Sequence, residues 1–389
     1  LEGLPDAVVV GAGAVGLCCA CALAEAGLQV AVVERQQPGA GASWANAGWV
    51  VPSHSVPLAA PGAVRRGLRW MLHPESPVHV PPRADPALWA WVWRFWKSST
   101  SAHVRRSLPV LVRLQRRSLQ HYERLAQEEP DFGWRRCGSL TVFTDPSEYR
   151  SFLTEVEYLR RGGVAAEVLD GGQLREREQV LRREVVGGVY FPEDAHLDPS
   201  ALIQVLAARA TRLGVRLRCG QAAALRRQGS SVGVHLDGRW VRPQAVVVAA
   251  GAWSGLLLRQ VGVRLPLQPA KGYSVTLDGR PAPHSPLMLG EARVAVTPLS
   301  GPAGPRVRLA GTLELGVWIE APNPRRVVAI RRAAARYLAL DPEGGQVWAG
   351  LRPCTPDGLP AVGRPRAADN LVVATGHGTL GISLAAVTG

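Results

Sequence analysis

The sequence predicts an α/β fold built on a discontinuous Rossmann-like dinucleotide-binding domain, joined to a second region of alternating strands. Three observations carry that expectation. The first thirty-four residues read as strand, Gly-rich turn, helix, strand and acid. Far along the chain, Ala245-Val246-Val247-Val248-Ala249-Ala250-Gly251 is a fully apolar run of the kind that forms a buried parallel strand. Near the other end, the strand Leu371 to Ala374 runs into a second Gly-rich turn, Gly376 to Gly381. The opening unit and the closing strand therefore come from opposite ends of the sequence.

The opening unit is specific because context supports its motif. Val8-Val9-Val10 leads into Gly11-Ala12-Gly13-Ala14-Val15-Gly16, a helix spans Leu17 to Ala26, and Gln29 to Val33 ends at Glu34. Gly11 permits the tight turn out of the strand. Gly13 lets backbone approach a pyrophosphate, and Gly16 lets helix pack on sheet. The helix start offers free N–H groups and a positive dipole end to phosphates. Glu34 accepts hydrogen bonds from ribose hydroxyls and repels a 2′-phosphate, which argues against NADP.

Composition bounds the rest. A chain of 389 residues can bury a large core, organised as two domains. No run of eighteen apolar residues predicts a membrane span, and no signal-peptide pattern is present. Leu1-Glu2-Gly3, without a Met, reads as a processing or cloning remnant. Cys18 and Cys21 are spaced C-x-x-C inside the helix after the Gly loop, where they read as small packing residues rather than metal or redox ligands. Six cysteines without a disulfide pattern suit a reducing compartment. The expected location is cytoplasmic, or peripheral on the inner face of a membrane. The net charge is +14, yet only Lys97 and Lys271 are lysines, and the arginines are scattered. That pattern reads as a solvated basic surface, not a nucleic-acid site.

Further along, Pro57 to Pro86 reads as an irregular excursion rich in Pro, Arg and His. Leu88 to Lys97 holds four tryptophans, of which Trp89, Trp93 and Trp96 share one helical face. The expected reading is a core-facing stripe; the alternative is a contact for a quinone or a membrane. Arg105 to Glu129 is a long amphipathic helix with arginines on its wet side. Gly138 to Phe143 is a strand, Tyr149 to Arg161 a helix, and Gly188 to Phe191 a strand. Asp198-Pro199-Ser200 starts a helix that runs from Ala201 to Leu213. Val215 to Cys219 is a strand, followed by a hairpin-like pair at Gly233 to Leu236 and Trp240 to Arg242. Alternating strands dominate Gln268 to Leu315.

Two features separate FAD from NAD. Gly41-Ala42-Ser43-Trp44-Ala45-Asn46-Ala47-Gly48 is a small-residue loop suited to lie under a flat ring system. The turn Gly376 to Gly381 places N–H groups and a helix start where a reduced flavin accumulates negative charge. With Ala59-Ala60-Pro61-Gly62, Lys271-Gly272-Tyr273-Ser274, Gly350-Leu351-Arg352-Pro353, Thr355-Pro356-Asp357-Gly358 and Thr375-Gly376-His377-Gly378-Thr379-Leu380-Gly381, the sequence resembles the D-amino acid oxidase superfamily. It is most similar to the bacterial D-amino acid dehydrogenase small-subunit group. These blocks span nearly the whole chain, in the family's order.

The resemblance implies a GR2-type FAD-binding domain over 1–60, 196–266 and 345–389. It implies a substrate domain with a mixed, largely antiparallel sheet over 61–195 and 267–344. It implies non-covalent FAD held by Gly11, Gly13, Ala14, Val15, Gly16, Glu34, Arg35, Ser43, Asn46, Ala47, Gly48, Ala222, Gly251, Gly376, Gly378, Thr379, Leu380 and Gly381, with no metal. Arg352 grips the substrate carboxylate, and Tyr273 and His377 complete the substrate site. Lys271 is a further candidate for its ammonium. The implied reaction moves a hydride from the α-carbon of a D-amino acid to flavin N5. The imine then hydrolyses to a 2-oxo acid and ammonia, and electrons pass to a quinone or another acceptor. Positioning supplies much of the effect, so no side-chain base is required.

Alternatives within the superfamily are a glycine- or sarcosine-type oxidase and a proline or hydroxyproline dehydrogenase. Outside that chemistry stand a flavin-dependent tRNA-modification enzyme and a flavin-free binding protein. The sequence departs from the family at Val51-Pro52-Ser53-His54, beside the flavin loop, which bears on substrate choice. The family pattern also continues past the point that matches Gly389.

Overall fold

The structure is a computed structural model, and it describes residues 4–65, 67, 76–81, 83–221, 223–301 and 304–389. The first sheet has six strands in the order Ala361–Gly363, Leu371–Thr375, Ala245–Val248, Ala7–Val10, Val30–Val33 and Arg216–Arg218. All pairs are parallel except the edge strand Ala361–Gly363. The central strand Ala7–Val10 is buried throughout, as are Val30–Val33 and most of Ala245–Val248. Continuous Val and Ala runs serve this position because both faces are covered. Val9 and Val32 face helices, whereas Val8, Val10, Ala31 and Val33 face the three-stranded sheet of Leu225–Gln228, Ser231–Leu236 and Arg239–Val241. The helix Ala14–Glu25 packs on one face, with Gly13 at its N-cap. Gly16 has no alternative there, because a Cβ on it would lie 1.9 Å from the Gly11 carbonyl oxygen. The helix buries Cys18, Cys19 and Cys21, and burial raises all three thiols. They fill space as small apolar groups.

The second sheet has nine strands. Its main path runs Gln346–Cys354, Gln268–Asp278, Gly304–Leu315, Val294–Gly301, Leu287–Leu289, Ser139–Phe143, Gly187–Phe191 and Glu167–Asp170. It is mixed: most pairs are antiparallel, and Leu287–Leu289 runs parallel to Ser139–Phe143. The helix Pro324–Tyr337 packs on this sheet through Val327, Ile330 and Ala334. The segment expected to join the FAD-binding domain from residue 345 opens with a strand of the second sheet. The strand Gln346–Cys354 belongs to the second sheet, paired with Gln268–Asp278 from Gln268↔Cys354 to Thr276↔Gln346. The chain returns to the first sheet only at Ala361–Gly363.

The tryptophan helix, Pro86–Ser98, also corrects an expectation. Asp85 caps it by accepting from Ala87 N and Leu88 N. Its buried positions are Leu88 and Trp91, whereas Trp89, Trp93 and Trp96 are 51%, 52% and 58% exposed. Trp91 wins the inner face because its indole N–H donates to Cys354 O at 3.0 Å and its ring stacks on Phe95. The excursion expected over Pro57 to Pro86 lies partly outside the described residues, as does Ala222. Among the described residues, no helix is long and apolar enough to cross a membrane.

Candidate functional site

A cavity of about 830 Å³ opens between the two sheets. That volume suits a large cofactor with a small substrate. One wall is made by the carboxyl ends of the parallel strands: Val10, Val33, Ala249 and Thr375 line it. This is where an open α/β sheet binds ligands. The other wall is one face of the nine-stranded sheet, with Tyr273, Met288, Thr312, Gly350 and Arg352.

The dinucleotide end is built from backbone. Gly11 has φ +107°, and a Cβ there would sit 2.6 Å from Ala249 O. A Cβ on Gly13 would lie 3.0 Å from Ser43 Oγ, which accepts from Ala14 N. Glu34 faces the cavity and accepts from Ala12 N at 2.8 Å and Gln36 N at 3.1 Å. Arg35 lies over the Trp253 ring and pairs with Glu320. The loop around Asn46 is self-braced: its Nδ2 donates to Ala42 O and Ser43 O, and its Oδ1 accepts from Gly48 N. Gly11, Gly13, Ala14, Val15, Glu34, Arg35, Ser43, Asn46, Ala47, Gly48, Gly251, Gly378, Thr379, Leu380 and Gly381 all line the cavity. Gly16 and Gly376 stand behind the wall; a Cβ on Gly376 would meet Thr355 Cγ2 at 2.7 Å.

The substrate end is built from side chains. Arg352 is half-buried at the cavity wall, and its Nη1 donates to Thr312 O at 2.6 Å. No carboxylate pairs with it among the described residues. Burial lowers its pKa from the usual guanidinium value. Its guanidinium lies across Gly272, where a Cβ would fall 2.2 Å from Arg352 Cζ. The strands Gln268–Asp278 and Gly304–Leu315 slip register between Lys271 and Tyr273. Thr312 sits at this irregularity with φ +65°, an uncommon backbone state for a non-glycine residue.

Tyr273 and His377 reach the cavity differently from expectation. The Tyr273 ring lines it, but its hydroxyl donates to Glu314, which also pairs with buried Arg326 at 3.0 Å. The hydroxyl is thus committed to a buried network beneath the sheet. Lys271 joins this region, with its ammonium over the Tyr273 ring and bonded to Ala321 O. His377 is buried, its Nε2 bonds Thr388 Oγ1 at 3.0 Å, and desolvation lowers its pKa to about 4. It is a neutral ring at physiological pH.

Several residues here were not singled out by sequence reasoning. His54 lines the cavity against the Trp49 ring, and burial with the charge of Arg293 lowers its pKa to about 4. The segment Pro52–His54 is anchored by Asp194, which accepts from Ser53 Oγ at 2.6 Å, Ser53 N at 3.2 Å and Ser139 Oγ at 2.6 Å. Asp194 is fully buried, and desolvation outweighs these bonds, raising its pKa to about 7. The departure at Val51–His54 marks the right neighbourhood, but the partners of Asp194 are distant in sequence. Among the described residues, no cluster of His, Cys, Asp and Glu could hold a metal ion.

A parallel sheet with this glycine cradle and carboxyl-end cavity defines a dinucleotide-binding oxidoreductase. The chain is matched from residue 6 to 389 by the family model "DAO: FAD dependent oxidoreductase". It belongs to that family of FAD-dependent oxidoreductases. It is 38% identical to the D-amino acid dehydrogenase of Methylobacterium radiotolerans, over 98% of this chain and 93% of the relative. It is 34% identical to that of Vibrio cholerae, over 98% and 92%. Its fold matches the crystal structure of glycine oxidase from Geobacillus kaustophilus with a TM-score of 0.78 at 24% identity, covering 99% of this chain and 92% of the other. The cradle fits FAD: Gly11, Gly13, Ala14 and Val15 line the cavity at the start of the helix Ala14–Glu25, and Glu34, just past the strand Val30–Val33, lines it where a ribose is held.

Proposed function

We propose that this protein oxidatively deaminates D-amino acids to 2-oxo acids and ammonia and passes the electrons to a quinone. The observation that carries this reading is Arg352, a guanidinium at the cavity wall without an acidic partner among the described residues. A planar fork of this kind grips a carboxylate through two parallel hydrogen bonds. Thr312 O takes one N–H and fixes the plane, and Gly272 leaves the space in which the head lies. The names of the relatives support the D-amino acid class.

When bound, FAD supplies the acceptor for the hydride that leaves the substrate α-carbon. The chain's own contribution is orientation. Arg352 pins the carboxylate, and the apolar wall formed by Met288, Leu313 and Leu351 excludes water from the α-carbon. The amine binds neutral or sheds its proton on entry, and the imine product hydrolyses in water. His54 and His377 are neutral and add no positive charge that would repel an ammonium. Non-covalent FAD is supported by Cys354, which lines the cavity with its thiol pushed up to about 11 by burial. A protonated thiol is a poor nucleophile.

The exposed face of Trp89, Trp93 and Trp96, with exposed Arg94 and Lys97 beside it, supports peripheral contact with an anionic membrane surface, where a quinone dissolves. The first experiment is anaerobic titration of the flavin-loaded protein, followed at ~450 nm, the oxidised-flavin band. D-Amino acids should bleach it while L-amino acids, glycine, sarcosine and proline do not. Bleaching by glycine or proline instead of D-amino acids would move the substrate class.

A further inference from the structure

Three successive carbonyls of the loop that lines the cavity are gripped from one side. Ser274 Oγ donates to Ala45 O at 2.6 Å, Arg308 Nη1 to Asn46 O at 3.3 Å, and Thr297 Oγ1 to Ala47 O at 2.8 Å. The donors stand on Gln268–Asp278, Gly304–Leu315 and Val294–Gly301, three neighbouring strands of the second sheet. Arg308 and Thr297 are direct cross-strand partners, and Ser274 lies two residues before Thr276, the partner of Arg308 on the next strand. None of the three lies in a dinucleotide motif.

Ser274 and Thr297 are neutral donors, and a neutral residue between them could complete the row. Arg308 is instead a charge that is 4% exposed. Its Nε donates to Thr276 Oγ1, and no carboxylate stands within ion-pair distance among the described residues. Asp198, the acid that acts on it, is already paired with Arg306 at 2.8 Å. Burial lowers the guanidinium pKa to about 10, so it stays charged at neutral pH. A buried charge with only neutral hydrogen-bond partners is costly to keep. Asp198, shared with Arg306, offsets its field only in part, and the field acts through a loop whose residues Ala45, Asn46 and Ala47 line the cavity.

We propose that Arg308 is a positioning residue with an electrostatic task. With Ser274 and Thr297 it locks the cofactor loop to the substrate sheet, and its charge stabilises the negative charge that bound FAD gains on reduction. The inference uses the family's cofactor but not the identity of the substrate.

The test is made on the FAD-loaded chain with two readouts, the FAD dissociation constant and the midpoint potential from a dithionite titration. Arg308→Met should weaken FAD binding roughly tenfold and shift the potential to more negative values at saturating FAD. Arg308→Lys should weaken binding but hold the parent's potential. Ser274→Ala should weaken binding a few-fold and leave the potential unchanged. A methionine variant with the parent's potential would overturn the proposal. Should that variant fail to fold, the other two decide: a shifted potential in Arg308→Lys, or undiminished affinity in Ser274→Ala, overturns it. Neither readout involves an amino acid, so failure here is separable from failure of the D-amino acid reading.

Discussion

The two ends of the cavity are built from different material. At the dinucleotide end, glycines and backbone N–H groups make the surface, and the contacts that shape it are mostly local: Gly11 against Gly16, Glu34 against Ala12 and Gln36. At the substrate end, side chains from separate strands converge: Arg352, Gly272 and Thr312 meet through pairing across the second sheet. Backbone construction tolerates no added atoms, whereas side-chain construction tolerates changes of degree. The first end therefore fails in an all-or-none way, and the second is tunable.

The sharpest break of this contrast is Gly16→Ala. A Cβ 1.9 Å from Gly11 O forces helix and turn apart, so the protein should emerge without bound FAD, as read by its absorbance after desalting. A variant that keeps full flavin occupancy would remove the distinction. Next in size are Arg352→Ala and Gly272→Ala. Loss of the guanidinium should lower kcat/KM for a D-amino acid about 100- to 1000-fold, mainly through KM, with FAD retained. Gly272→Ala keeps the arginine but displaces its head, so the loss should be smaller, roughly tenfold, again with FAD bound. Equal effects on FAD occupancy and KM in either variant would show that the two ends are not separable.

A further effect, on folding stability and not on FAD or substrate binding, is expected in its pH dependence. Asp194 keeps its proton in the folded state up to about pH 7, whereas the unfolded chain loses it near 3.8. Between those values the folded state binds more protons, so stability falls as pH rises and levels off above 7. The full span corresponds to a loss on the order of 4 kcal/mol. Asp194→Asn should lack this slope, gaining on the parent in thermal melts between pH 5 and pH 8. Parallel curves would place the titration elsewhere.

The same contrast explains what was legible in the sequence. The unit from Ala7 to Glu34 could be read directly because its motif is continuous in sequence: Gly16 answers to Gly11 within it, while the further neighbours of Gly11 and Gly13, Ala249 and Ser43, carry no such signal. Arg352 was marked by its Gly-Leu-Arg-Pro setting. The role of Gly272 as its bed was not, because only the pairing of Gln268–Asp278 with Gln346–Cys354 brings the two together. Periodicity identified the helix Pro86–Ser98 but not its inner face. Leu88, Trp91, Val92 and Phe95 form a second stripe with the same spacing as Trp89, Trp93 and Trp96, and the partners at Cys354 decide between them. Ser53 falls in the departure at Val51–His54, but its partner Asp194 and the second donor Ser139 carry no local signal at all.

The strand order of the first sheet also sets a schedule for synthesis. Ala7–Val10 leaves the ribosome long before its neighbour Ala245–Val248, and Leu371–Thr375 comes later still. The glycine turn must wait, half-walled, while the residues between them are translated. Closure then depends on contacts of very long sequence separation, which form slowly. A nascent chain stalled before Leu371 has its phosphate cradle but lacks the turn and helix that close the cavity. Cofactor capture is accordingly a late event, and free FAD in the surrounding medium acts on the last step of folding rather than the first.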